Sequence, residues 1–330
     1  MDSFLFALEA VSPLILMVAI GYLLKRIGWM KADLAKAVNR VVFRVFLPAT
    51  LFLNVYKIEN IGAMQLDYIL YALIVVLALF LLSVPVAVAV CGDRTRRGPL
   101  MQVSFRSNYA LVGIPLAASL FGEEGMIVAT LLSAAAIPLF NVLAVISLSI
   151  FRDDGEGHVS VKKILLGIAK NPLILSIGAG LVALGVRAIL VRCGVSFRLS
   201  HVTPVYTVLN QLSAVSTPLA LLVLGAQFEF SAIKALRREI IVGTLARTVV
   251  APLIGVGIAY LFFRGRFTGA HFAAFVALFA TPVAVSSLPM AQEMGNDAAL
   301  AGQYVVWTTI LSAFTIFLAS LLLRLAGVFV

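Results

Sequence analysis

The sequence predicts an all-α membrane protein of ten transmembrane helices, folded as an inverted repeat of five plus five with its fourth and ninth helices broken. Three observations predict it. Hydrophobic residues make up 62% of the chain and charged residues 12%, against about 45–50% and 25% in soluble globular domains. The uncharged runs 68–92, 125–151 and 298–323 each exceed the roughly 20 residues that a helix needs to cross the hydrocarbon core. The third observation is an interruption that occurs twice. Residues 107–115 (SNYALVGIP) lie over residues 281–289 (TPVAVSSLP), pairing Ser107 with Thr281, Ala110 with Ala284 and Pro115 with Pro289, about half the chain apart. Transmembrane strands would alternate in segments of about ten residues, and that pattern is absent.

In chain order, span one is placed at 4–27; the preceding Met1-Asp2-Ser3 lacks the basic start of a secretory signal, so this apolar run is expected to be retained. Span two, 34–56, carries Asn39, Arg44 and Pro48, whereas span three, 68–91, is continuously apolar. Span four, 100–121, holds the first interruption, and span five, 125–151, carries Asn141. Span six, 164–188, and span eight, 240–263, contain the small-residue runs GAG and GVG, read as close-packing faces. Span seven, 205–228, span nine, 269–294, with the second interruption, and span ten, 298–323, complete the set.

Further echoes follow the same order in both halves. Ser12-Pro13-Leu14-Ile15-Leu16 matches Asn171-Pro172-Leu173-Ile174-Leu175, Asn39 with Pro48 matches Asn210 with Pro218, and Thr130, Leu132, Ser133 and Ala134 match Thr309, Leu311, Ser312 and Ala313. Because each half has an odd number of spans, the second enters from the opposite side. The repeats are placed at 1–157 and 158–330.

The formal net charge of +10 is scattered through short connections, so membrane orientation explains it and no nucleic-acid partner is expected. Lys25, Arg26, Lys31, Lys36, Arg40, Arg94, Arg96, Arg97, Arg152, Lys162, Lys163, Lys170, Lys234, Arg237 and Arg238 fall in one set of alternate connections. Lys57, Arg187, Arg192, Arg198, Arg264 and Arg266 fall in the other, with Arg187–Arg198 as the dissenting cluster. The excess predicts the first set inside and both termini outside.

A proline within a helix removes a donor and clashes with the carbonyl four residues back, so spans four and nine are expected to break and restart at Pro115 and Pro289. In lipid, the freed backbone groups persist only against protein or a water-lined cavity. Two half-helix N-termini facing each other suit an anion or carboxylate, and matched interrupted segments in two halves point to a secondary carrier's binding site. The candidate residues are Asn108, Tyr109, Gly113, Ile114 and Pro115 on span four, Asn141 on span five, and Thr281, Pro282, Ser286, Ser287 and Pro289 on span nine. The plainer alternative is a pair of packing kinks with interhelical hydrogen bonds.

Arg106, at the first interruption, is placed to draw an anion toward it. Arg247 lies only about 10 Å into span eight, and is expected to snorkel to the headgroups. Glu9, Glu229 and Glu293 all fall near span ends, which argues against an acidic ion relay. His158, His201 and His271 are far apart, Cys91 and Cys193 have no ligand-like spacing, and no nucleotide or catalytic fingerprint occurs. Neither an enzyme nor a bound metal or cofactor is expected.

The segments NYALVGIP with LFGEEG (108–125), TPLALLVLGA (217–226), RTVVAPL (247–253) and TPVAVSSLPMAQEMG (281–295) resemble the auxin efflux carrier family over nearly the whole chain. The family includes plant auxin exporters and bacterial carriers proposed for malate and malonate. The resemblance implies the crossed-helix fold of sodium/proton antiporters and bile-acid symporters and an elevator-type alternation. Spans one, two, six and seven would be the scaffold, and spans three, four, five, eight, nine and ten the moving unit. It implies a carboxylate of a small organic anion, mono- or dicarboxylate or auxin-like, held at Asn108, Gly113, Pro115 and from Pro282 onward. It also implies a homodimer in the lipid bilayer. Ser286 stands where many relatives have Asn, and only a short link joins Phe151 to Ile164. Both favour a compact carrier of the bacterial inner membrane. A sodium- or proton-coupled symporter and a non-transporting ligand sensor remain as alternatives.

Overall fold

In a computed structural model, residues 2–58, 66–151 and 161–329 are described, without the side chains of 2–8, 10–11 and 161–164. The division at 157/158, His158, Arg152 and the side chains of Lys162 and Lys163 lie outside the described residues. Among those described, all regular structure is helical. Seven helical runs are long and apolar enough to cross a membrane: Ala32–Tyr56, Leu66–Val90, Arg94–Ile150, Pro172–Arg192, Thr203–Gln227, Arg237–Phe263 and Ala298–Leu325. The described residues thus form an all-α membrane protein.

The helices are α1 (Asp2–Arg26), α2 (Ala32–Val41), α3 (Leu47–Tyr56), α4 (Leu66–Val90), α5 (Arg94–Phe105), α6 (Ile114–Ile150), α7 (Val161–Ala169) and α8 (Pro172–Arg192). They continue with α9 (Thr203–Gln227), α10 (Ser231–Ala235), α11 (Arg237–Leu245), α12 (Ile258–Phe263), α13 (Gly269–Phe279), α14 (Ser287–Glu293) and α15 (Ala298–Leu325). Several starts are encoded locally. The Asn171 side chain accepts the Leu173 N–H at 2.9 Å ahead of Pro172, an N-cap followed by proline in the first turn. Asp93 accepts the Thr95 N–H at 2.9 Å and hydroxyl at 2.8 Å, bonds that hold its carboxyl below the ordinary aspartate range.

The 57-residue run from Arg94 to Ile150 would reach about 85 Å if straight, far beyond a bilayer core of about 30 Å. It does not run straight. The backbone leaves helical geometry at Phe121 and again at Gly122, where φ is +61° and ψ −148°, a region open in practice only to glycine.

Three prolines are accommodated in one way. Pro48, Pro115 and Pro252 each follow a π-helical stretch, Val42–Phe46, Tyr109–Gly113 and Ala246–Val250. In each, the residue before the proline donates its N–H five residues back: Leu47 to Val42, Ile114 to Tyr109, Ala251 to Ala246. The wider turn relieves the clash between the proline ring and the carbonyl four positions earlier. One such freed carbonyl, that of Thr248, accepts the Thr315 hydroxyl at 2.9 Å.

α1 packs on α9 and on α15, and α3 on α8 and α9, while α13 packs on α6 and α4 on α5. Gly21 and Gly225 let the α1 and α9 backbones meet, since a Cβ on either would run into the opposite main chain at Leu222 or Val18. In the runs GAG and GVG one glycine of each pair packs tightly, Gly180 against Val55 and Gly255 against the Phe279 ring, whereas Gly178 and Gly257 face open space.

Polar ties collect at the helix ends. Arg96 donates to Glu239 at 3.0 Å and to Asp297 at 3.2 Å, and the Asp297 N–H reaches the Thr95 carbonyl at 3.0 Å, so the starts of α5, α11 and α15 share one face. Arg187, in the dissenting cluster, donates to the Tyr56 carbonyl at 2.9 Å and lies over the Tyr56 ring. Capping the end of α3 employs its charge without reference to membrane orientation. Arg96 is 30% exposed, yet Glu239 is nearly enclosed, and removing a partner leaves a buried carboxylate unpaired. Arg96→Met is expected to cost about 1–2 kcal/mol, read as a lower melting temperature, with partial recovery when Glu239→Gln is added.

Candidate functional site

The two interruptions lie side by side. α5 ends at Phe105; Arg106 is extended (φ −86°, ψ 127°) and Asn108 non-helical (φ −81°, ψ 52°) before the chain recoils at Tyr109. α13 ends at Phe279, and the chain coils again only at Ser287. The unwound stretches therefore precede both prolines: Pro289 sits in the first turn of its restarted helix, and Pro115 follows the π-helical turn Tyr109–Gly113 that opens the other. This corrects the expectation of a break at the prolines themselves: near a helix start the missing N–H costs little, and a π turn absorbs the ring.

The Asn108 N–H donates to the Pro282 carbonyl at 2.8 Å, joining one unwound stretch to the other. Gly113 allows the close approach beside it, because a Cβ there would stand 2.9 Å from the Ala277 carbonyl oxygen. The Val283 N–H is taken by the Thr308 hydroxyl at 3.1 Å, and the Thr281 hydroxyl donates to the Ala277 carbonyl at 2.7 Å. Backbone groups freed by unwinding are thus satisfied inside the protein.

A cavity of about 490 Å³ opens between this crossing and the α1, α3 and α9 group. Arg106, Ser107, Asn108, Tyr109, Ala110 and Leu111 form one wall, with Ile137, Phe140 and Asn141 of α6 and Ala284, Val285 and Ser286 beside them. Leu14, Met17, Thr50, Asn54, Ser213, Ser216, Thr217 and Leu221 are prominent in the opposite wall. A larger hollow of about 570 Å³, lined by residues including Val249, Leu253, Phe314 and Leu318, contains no charged group.

Arg106 is 3% exposed. Its guanidinium donates to Asn141 Oδ1 at 2.8 Å, to Ser286 Oγ at 2.7 Å and to Met290 Sδ at 2.9 Å. These partners are neutral. Glu239 is the one buried acid among the described residues, and Arg96 engages it. Asn108 Nδ2, Ser107 Oγ and Ser216 Oγ are buried with no hydrogen-bond partner, and all three residues line the cavity. The start of the helix at Tyr109 adds N–H groups without intrahelical acceptors and a partial positive charge. A buried cation, an unused amide donor and a helix start together form an anion-accepting wall.

The candidate residues divide accordingly. Asn108, Tyr109, Asn141 and Ser286 line the cavity, although the Tyr109 hydroxyl turns away to the Ala129 carbonyl at 3.1 Å. Gly113, Ile114, Pro115, Thr281, Pro282, Ser287 and Pro289 are not among its lining. Gly113, Thr281 and Pro282 build the crossing, as the contacts above describe, and the Pro289 carbonyl accepts the Asn39 amide at 3.5 Å. Ser287 Oγ is buried without a partner. The opposite wall was not legible beforehand. Ser216 and Thr217 before Pro218 are its nearest sequence signal, and hydroxyls are too common in membrane helices to single out.

Arg247 requires a correction. Instead of snorkelling to headgroups it is fully buried, with 0% exposure. Its Nε donates to the Thr281 carbonyl at 2.7 Å, its Nη2 to the Leu278 carbonyl at 2.7 Å and its Nη1 to the Phe105 carbonyl at 3.4 Å. Depth along a span does not reveal that a neighbouring helix has unwound and that its carbonyls can accept from a buried guanidinium.

Comparison with known proteins agrees with a membrane carrier. The model of a family described as membrane transport protein matches residues 6–320. An uncharacterized transporter of Methanothermobacter thermautotrophicus is 26% identical over 340 aligned residues, covering 97% of this chain and 99% of that protein. An uncharacterized transporter of Methanocaldococcus jannaschii is 29% identical over 252 residues, covering 74% and 76% respectively.

Proposed function

The chain belongs to the membrane transport protein family, the auxin efflux carriers, and on that premise we propose that it is a secondary carrier of small organic anions. The substrates are mono- or dicarboxylates such as malate or malonate, or auxin-like acids. The observation that carries this reading is Arg106, a buried guanidinium on a cavity wall with only neutral partners among the described residues. Holding an uncompensated charge away from water costs several kcal/mol, and a carboxylate in the cavity offsets that cost. The Asn108 amide and the helix start at Tyr109 would take the remaining oxygen lone pairs. Apolar Leu14, Met17, Phe140 and Leu221 would face the rest of the molecule.

The carrier would be a ten-span inverted repeat, a reading supported by the matched interruptions and by the Asn108–Pro282 bond between them. Transport would proceed by movement of the broken-helix group against the α1, α2, α3, α8 and α9 group. Asn39 with Pro289, at 3.5 Å, and Arg40 with Glu293, at 3.9 Å, bridge the two groups and would separate during that movement. A homodimer in a prokaryotic plasma membrane, with both termini outside, completes the proposal.

Asn108→Ala tests it. Losing one hydrogen bond to a charged group is worth about 1.5–3 kcal/mol, so carboxylate affinity, measured by thermal shift and by flux in proteoliposomes, is expected to fall at least tenfold. Unchanged affinity would remove Asn108 from the site. Saturable binding by the wild type with no flux would replace the carrier by a ligand sensor.

A further inference from the structure

Arg247 is the largest fully buried side chain among the described residues, and none of its three hydrogen-bond partners lines the cavity. Its three acceptors are all main-chain carbonyls at the ends of the two helices that stop at the crossing. Phe105 is the last residue of α5, Leu278 lies in the last turn of α13, and Thr281 lies two residues beyond that helix. A helix C-terminus carries about half a negative charge and up to four carbonyls without intrahelical donors. Two such ends converge here, away from water.

We propose that Arg247 is a positioning residue that takes the place of a bound monovalent cation at the crossing. The planar guanidinium, with five donors, reaches both helix ends at once and holds them in the register that sets Arg106, Asn108 and Ser286 on one wall. A compact ammonium reaches fewer of the carbonyls from the same backbone position. With the guanidinium removed, the Phe105, Leu278 and Thr281 carbonyls form a cluster of hard, neutral oxygen donors of the kind that accommodates sodium or potassium. The inference holds whichever anion is carried, because it concerns how the crossing is balanced.

The test uses the full-length protein in detergent, melted in choline, sodium or potassium chloride at equal ionic strength. The wild type is expected to be indifferent to the cation. Arg247→Gln and Arg247→Met are expected to melt several degrees lower in choline chloride. In sodium or potassium chloride at about ten times the dissociation constant they should regain about 2–5 °C. Arg247→Lys, which keeps the charge, should melt above the Gln variant and show no cation response. A purely space-filling role would leave all three salts equivalent in every variant. The proposal is overturned by a neutral variant as stable as wild type in choline chloride, by neutral variants whose melting ignores both cations, or by a Lys variant no more stable than the Gln variant.

Discussion

Arg106→Gln is expected to abolish measurable organic-anion flux and to weaken binding by about tenfold to 150-fold, the equivalent of about 1.5–3 kcal/mol for hydrogen bonds to a charged group. The same substitution is expected to leave the unliganded protein as stable as wild type or slightly more stable. The guanidinium is buried against neutral partners, Asn141, Ser286 and Met290, and replacing an uncompensated buried charge by a neutral amide removes a desolvation cost. This opposite response of binding and stability distinguishes an anion-receiving arginine from a structural one. Arg106→Lys should fall between, since an ammonium keeps the charge but lacks the planar fork whose Nη2 meets Asn141 and Ser286 while its Nη1 meets Met290. Thermal melting with and without a carboxylate, beside flux in proteoliposomes, measures both quantities. Retained affinity with collapsed stability would assign Arg106 to the architecture.

Gly225→Val should have the largest effect on folding. A Cβ at Gly225 would enter the space of the Val18 carbonyl and stand 2.7 Å from the Tyr22 nitrogen, and Gly21 has the reciprocal relation to Leu222. Neither neighbour is the free end of a flexible side chain, so two packed helix backbones would have to separate. Overpacking of this kind typically costs about 1–3 kcal/mol or more. It should appear as a melting temperature several degrees lower and a reduced yield of folded protein. Gly178→Ala on α8 provides the contrast. A Cβ there meets nothing within 4 Å, and alanine is favoured over glycine in a helix interior by roughly 0.5–1 kcal/mol, so stability should hold or rise. Equal melting of Gly225→Val and wild type would contradict the close crossing of α1 and α9.

Much of the site's location was legible in the sequence, because a paired motif at 107–115 and 281–289 marks where two helices are interrupted. The residues within it were less legible. Asn141 and Ser286 were expected as independent contacts, and in the structure both accept from one arginine, Arg106, whose partners lie 35 and 180 residues away. Arg247 was misplaced for the same reason: its three acceptors lie 31, 34 and 142 residues away, and their availability depends on unwinding elsewhere. The α3 and α9 wall, with Thr50, Asn54, Ser213 and Ser216, carries no motif of its own.

Local properties of the chain, read without any structure, settle the class of this protein. Apolar runs too long for a soluble helix compel membrane spans, since backbone groups in lipid must be satisfied within the segment, and prolines at matched places announce altered hydrogen bonding. Tertiary structure alone decides which side of each proline unwinds, which carbonyls are thereby freed, and which arginine each freed or neutral group receives. A buried charge has no stable environment until segments distant in sequence enclose it. Arg106 facing the cavity and Arg247 pinning the two helix ends are therefore properties of the folded chain, while the two interruptions they serve, around Asn108 and Pro282, were already marked in the sequence.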